Sequence, residues 1–210
     1  MFTLYDCSTA PSPRRARIFL AEKGVAHATV QVDLRSGEQL APAYRAINPQ
    51  CTVPALRCDD GLLLTDNAAI AAYLEARFPE PALMGVTPAE KADIASWNWR
   101  VEFEGLMAIA EALRNSSPAM VDRALPGPHN YPQIKELAQR GVARVQQLLV
   151  TLNRQLEGRA FVAADRFSLA DITAVVAVDF ARVVKVKPGD AHPHLLRWRE
   201  RMATRPSMAL

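Results

Sequence analysis

Apolar and polar residues alternate from Phe2 to Tyr5, and a period of two predicts a short strand. Ser12-Pro13 then reads as a helix start, with serine at the cap and proline in the first turn. Ala16, Phe19 and Leu20 supply an apolar helical face, and Gly24 ends it. Alternation returns from His27 to Asp33 and puts Ala28, Val30 and Val32 on one side of a second strand. Leu40 to Ala46 is a short helical stretch closed by Asn48-Pro49. Val53 to Cys58 and Leu62 to Thr65 read as strands, joined by the two-residue hairpin signal Asp60-Gly61. Asp66 to Phe78 carries Ile70, Tyr73, Leu74 and Phe78 at helical spacing and stops at Pro79. The predicted order is β-α-β-α-β-β-α. A helix joins the first two strands, so they should be parallel, and the hairpin makes the last two antiparallel.

The pattern changes after residue 78. Pro79, Pro81, Gly85 and Pro88 mark a linker, and only helical periodicity follows, over about 88–114, 133–157, 168–184 and 193–204. Thr87-Pro88-Ala89-Glu90 has capping-box spacing. Ile134, Leu137, Val145, Leu148, Leu149, Leu152 and Leu156 form an apolar stripe, with Gly158 as its stop. Asn115 to Pro132 is rich in proline and reads as loop. In Phe167-Ser168-Leu169-Ala170-Asp171-Ile172, a second capping box is flanked by a hydrophobic staple, which points to a buried helix start. The chain therefore divides into an α/β domain over 1–78, a linker over 79–87 and an all-α domain over 88–210.

Composition narrows the classes. Half of the 210 residues are apolar, enough for a real core. No apolar run reaches the ~18 residues of a membrane span, and MFTLYDCSTAPSPRR holds no basic leader before a hydrophobic stretch. A net charge of +3 with scattered Lys and Arg argues against nucleic-acid binding. Three cysteines without a CxxC pair fit a reducing, cytoplasmic setting. His192 and His194 have no Cys/His cluster to complete a metal site, so no metal is expected.

Candidate chemistry gathers between Asn48 and Ala69. Pro54 cannot donate a ladder hydrogen bond, so it belongs at a strand start, an edge or a bulge. A cis bond there would let the backbone of Val53 face a ligand. Asp66 and Asn67 sit among unpaired N–H groups at a helix start, where a carboxylate can be held. Together they suit a small peptide bearing both an amine and a carboxylate.

The segments YDCSTAPSPRRARIFLAEKG, INPQCTVPAL, LTDNAAIAAYLEARFP and FSLADI, in this order and spacing, resemble the cytosolic, bacterial-type glutathione S-transferases over nearly the whole chain. The resemblance implies a thioredoxin-like N-terminal domain, an all-helical C-terminal domain and a homodimer. It supplies glutathione as the ligand. It places a cis bond before Pro54, pairs the Val53 backbone with the cysteinyl part, and sets Asp66 and Asn67 at the family's acidic-residue-then-serine pair for the γ-glutamyl group. Asparagine replaces serine there, and it can still donate and accept. Gln39 and Gln50 are weaker candidates for the rest of the tripeptide, and Arg35 for one of its carboxylates.

Glutathione reacts as its thiolate, and a thiol of pKa about 8.5 is mostly protonated at neutral pH. The family places a Ser, Tyr or Cys near the end of the first strand to stabilise it. Here alignment on Arg17 and Gly24 puts Ala10 at the usual serine position. Ser12 is the first choice for this role, although it would also serve as a plain N-cap; Thr9 and then Ser8 follow. A helix-dipole site without an essential side chain stays open. Cys7 would suit thiol–disulfide or peroxide chemistry, or fill a half-buried strand end. A small hydrophobic electrophile is the expected second substrate, its site between the domains, with candidates Trp97, Arg100, Val101, Phe103, Glu104 and Met107. A glutathione-dependent isomerase or dehalogenase, and a non-enzymatic interaction module, are the other readings of the same fold.

Overall fold

The computed structural model describes all 210 residues, in two compact units. The first comprises Met1–Pro81 with Pro126–Asn130 and Leu210, and the second Ala82–Leu125 with Tyr131–Ala209.

In the first unit, strands β1 (Phe2–Asp6), β2 (His27–Gln31), β3 (Ala55–Arg57) and β4 (Leu63–Leu64) form one sheet of order β2-β1-β3-β4. β1 runs parallel to β2, while β3 is antiparallel to both β1 and β4. Helices α1 (Pro11–Glu22), α2 (Pro42–Arg45) and α3 (Asn67–Arg77) complete the thioredoxin-like arrangement. Period-two alternation sends Phe2, Leu4 and Asp6 to the buried side of β1. Leu4, Ile18, Phe19, Leu20, Leu56, Ile70 and Leu74 are buried there. Elsewhere Val32, Tyr44 and Val53 form a smaller cluster, joined by the half-buried Tyr5, Cys7, Leu34 and Ile47. β2 is an edge strand whose Val30 is exposed.

Several element boundaries differ from the expectation; β2, for one, stops at Gln31, so Val32 lies beyond it. α1 begins at Pro11, with Ala10 as its extended cap, so Ser12 lies inside the first turn and is not the cap. The N–H groups of a helix's first turn have no intrahelical partner, so prolines fit at both Pro11 and Pro13. β3 is shorter than its apolar run because Val53-Pro54, a cis peptide, lies outside the ladder. The long helix at the start of the second unit is broken by a π-type turn at Glu102–Leu106, separating α4 (Pro88–Val101) from α5 (Met107–Arg114).

One buried cation ties the first unit together. Lys23 caps α1, and its side chain is fully buried. Its ammonium pairs with Glu75 of α3 at 2.6 Å and donates to the carbonyls of Phe78 (2.7 Å) and Pro81 (2.6 Å). An ammonium has three protons to place, and these three partners use them.

The second unit is helical. α6 (Lys135–Gln155) packs on α5, and a Cβ at Gly141 would fall 2.6 Å from the Ala108 carbonyl oxygen. Only glycine permits that approach. α7 (Leu169–Phe180) is apolar on nearly every side and is buried along almost its full length. Its start is held by Asp171, whose carboxylate accepts from the N–H groups of Val162 and Ser168, from the Ser168 hydroxyl and from Trp198 Nε1 of α8 (Pro193–Ala203). The staple residues Phe167 and Ile172 are both buried.

Lys23→Met should cost about 3 kcal/mol, because Glu75 and two carbonyls lose their shared partner. A urea midpoint measures this, and a loss below about 1 kcal/mol would contradict the role. Burial pushes the Asp171 carboxyl up to about 6 from its usual 3.8. The folded chain thus holds this proton more tightly than the unfolded chain does. The stability the group contributes is fully present below about pH 4 and declines as pH rises through about 6. Urea midpoints of wild type and Asp171→Asn should therefore converge with rising pH over that window; divergence would contradict the assignment.

Candidate functional site

The site lies in the first unit, where the end of β1, the start of α1, the segment before Pro54 and the start of α3 carry the candidate residues. Asp6 ends β1 on its buried face, 1% exposed, so its charge needs partners. Arg17 of α1 supplies a guanidinium at 2.5 Å and Gln31 of β2 an amide at 2.9 Å. The same Arg17 donates to the carbonyl of Ser8, and the Gln31 side-chain carbonyl accepts from the Ser8 N–H. The loop between β1 and α1 is therefore fastened at Ser8 from both sides. Ser8 and Thr9 are exposed, and Thr9 Oγ1 lies 3.6 Å from Cys7 Sγ.

The first turn of α1 is poor in donors. The Ala10 N–H is taken up by the Cys7 carbonyl at 3.0 Å. Pro11 and Pro13 have no N–H. Among the four positions whose N–H groups a helix start leaves unpaired, Ser12 alone can offer one outward. Ser12 also brings the only hydroxyl of the turn, and that oxygen accepts from the Asn67 amide at 2.8 Å.

The segment before Pro54 is held from below. Asn48 is fully buried, and its amide donates to the Thr52 carbonyl at 2.8 Å; the Tyr44 hydroxyl donates to the same oxygen at 2.7 Å. Burial pushes the Tyr44 phenol up to about 12, so it stays a donor at neutral pH. Val53 follows directly. Neither its N–H nor its C=O enters the backbone hydrogen-bond network, although its side chain is packed. Here an extended ligand could add as a strand.

α3 opens with Asp66 as its cap. Asp66 Oδ1 accepts from the Ala69 N–H at 2.8 Å, leaving Oδ2 toward solvent. The N–H groups of Asn67 and Ala68 are the unpaired first-turn donors. The structure thus brings Ser12 and Asn67 into direct contact. Gln39 stands in a 3-10 turn with its Oε1 buried and without a partner. Gln50 is exposed, its N–H bonded to Asn48 Oδ1. Arg35 is exposed, and its N–H bonds to Asp33.

The helical candidates separate into two kinds. Val101 is completely buried and cannot line an open surface, which corrects its place among the electrophile contacts. Arg100 stacks over Trp97, and Glu104 pairs with Arg144 at 3.1 Å. Phe103 and Met107 are about half exposed. Sequence reasoning missed Trp99, exposed and stacked on Phe103 with ring centres 5.2 Å apart. The i, i+4, i+8 spacing of Trp99, Phe103 and Met107 was the available signal. It also missed Asp6 and Asn48, which position the site without belonging to it.

Comparison with known proteins identifies the family. The model of the glutathione S-transferase N-terminal domain matches residues 9–77, and that of the C-terminal domain matches residues 109–206. Glutathione S-transferase 2 of Saccharomyces cerevisiae is 35% identical over 208 residues, covering 98% of this chain and 87% of that protein. Among solved structures, Gtt2 from Saccharomyces cerevisiae superposes with a TM-score of 0.89 at 34% identity, covering 99% and 98% of the two chains. A glutathione S-transferase domain-containing protein of Marinobacter aquaeolei gives 0.88 at 36%, covering 98% and 99%. The chain belongs to the glutathione S-transferase family.

Proposed function

We propose that the protein is a glutathione transferase that binds the tripeptide along Val53 and the start of α3 and stabilises its thiolate at the start of α1. The open backbone of Val53 carries this reading. A buried residue with both main-chain groups unpaired is ready for a strand-like ligand, and the cysteinyl residue of glutathione offers the complementary N–H and C=O. The N–H groups of Asn67 and Ala68 suit the γ-glutamyl carboxylate, and the free oxygen of Asp66 suits its amine. Gln39, Gln50 and Arg35 are left as contacts for the glycyl end.

Bound near α1, the sulfur would meet the Ser12 N–H, the Ser12 hydroxyl and the positive end of the helix dipole. All three favour the anion, so the thiol proton passes to solvent more readily. The thiolate then attacks an electrophilic carbon. A C–S bond forms, and the leaving group departs with the electron pair of its bond. Ser12 is the principal donor, with Thr9 and Ser8 the flanking hydroxyls. A small hydrophobic electrophile suits the exposed Trp99, Phe103 and Met107. We extend the reading to a cytoplasmic homodimer.

Thiol–disulfide chemistry at Cys7 fits less well. Cys7 follows β1, and its side chain is half-buried against the Val32–Tyr44–Val53 cluster with Thr9 Oγ1 as its polar neighbour, a setting in which a thiol serves as packing.

Turnover of a chloronitrobenzene with glutathione, followed by absorbance, is the direct test; binding of glutathione without turnover of that or other electrophiles would count against a transferase. Asp66→Ala should weaken glutathione binding at least tenfold by calorimetry, from the lost charge-assisted contact. Cys7→Ser should leave conjugation unchanged; a reduction of peroxides or glutathione mixed disulfides that Cys7→Ser abolishes would restore the redox reading.

A further inference from the structure

The chain departs from the family pattern with alanine at position 10 and asparagine at position 67, and the asparagine contacts Ser12. The Asn67 Nδ2 lies 2.8 Å from Ser12 Oγ and 3.1 Å from the Ser12 carbonyl oxygen. A carbonyl oxygen only accepts, so the atom facing it must be the amide nitrogen and not the amide oxygen. The same nitrogen therefore donates to the hydroxyl. Ser12 Oγ is thereby fixed as an acceptor toward α3, and its own proton is free to point elsewhere. A hydroxyl that accepts one hydrogen bond also donates a stronger one.

We infer that Asn67 is a positioning residue for Ser12: it orients the hydroxyl so that the O–H donates to the glutathione sulfur. This rests on the transferase reading above. It explains why the donor stands at position 12. With Ala10 at the cap and prolines on both sides of Ser12, no other side chain or N–H of the turn can take its place. A serine at 67 has a single short hydroxyl. An amide reaches farther and has two protons, enough to engage both the carbonyl and the hydroxyl of Ser12. The pair also links the starts of α1 and α3, the two helix ends that the ligand would bridge.

The charged groups carried by these two helix ends are Arg14, Arg15, Arg17 and Asp66, and the variants below leave them all in place. The readout is the pKa of the bound glutathione thiol, from the ultraviolet absorbance of the thiolate across a pH series at saturating glutathione. Ser12→Ala should raise that pKa by about one unit, the value of one charge-assisted hydrogen bond. Asn67→Leu, close to asparagine in shape, should also raise it. The double variant should be no higher than Ser12→Ala alone, because Asn67 acts through Ser12. Asn67→Ala provides the same cycle should leucine disturb the start of α3.

Additive shifts, or a thiol pKa insensitive to Asn67 while Ser12→Ala moves it, would overturn the positioning role and leave the transferase reading intact. A wild-type protein that binds no glutathione at millimolar concentration would overturn both. An Asn67 variant that weakens glutathione without moving its thiol pKa would make Asn67 a ligand contact and contradict the coupling.

Discussion

The buried pair between Asp6 and Arg17 is the constraint on which the site depends. Asp6 is forced inward by the alternation that also buries Phe2 and Leu4, so its charge has to be met inside. Arg17 meets it from α1 and Gln31 from β2, which sets the helix and the edge strand against the end of the central strand. Both partners then reach the backbone of Ser8. The loop that delivers Ala10 and Ser12 is thus anchored by a charge pair under it and does not depend on its own exposed side chains.

A similar device holds the other half of the site. Asn48 and Tyr44 converge on one carbonyl, that of Thr52, and so hold in place the chain leading into Val53, the residue proposed to pair with the ligand. Polar groups buried behind a ligand surface act here as supports: they take up the hydrogen bonds of the chain on either side and leave one stretch of backbone open. In α1 the economy is tighter still. Two prolines remove donors from the first turn, so the donors left there belong to Ser12, which Asn67 contacts from the start of α3.

Much of this was legible in the order of the residues. The alternation of β1, the Thr87 and Ser168 capping boxes and the long apolar stripe of α6 are local signals, and those elements formed where local chemistry asked for them; the turn at Asp60-Gly61 formed too, but with three residues between the paired Cys58 and Leu62 in place of two. The parallel pairing of β1 and β2 follows from the helix between them. The start of α1 was less legible because Pro11 and Pro13 both satisfy the first turn, and only the chain's approach to Ala10 decides between them. The π-type turn at Glu102–Leu106 answers to packing on α6 and α7 and leaves no mark in periodicity. The contact between Ser12 and Asn67 joins residues 55 positions apart, so no local pattern could announce it. Asp6, by contrast, carried a readable signal: a lone acid on the buried face of a strand demands a partner.

The central claim is that Val53 is kept unpaired for a strand-like ligand. Amide hydrogen exchange at Val53, measured by NMR with and without saturating glutathione, tests it most directly. The account predicts fast exchange in the free protein and marked protection on binding, with little change at the amides already bonded inside β1 and β3. Unchanged exchange at Val53 while glutathione is demonstrably bound would contradict it.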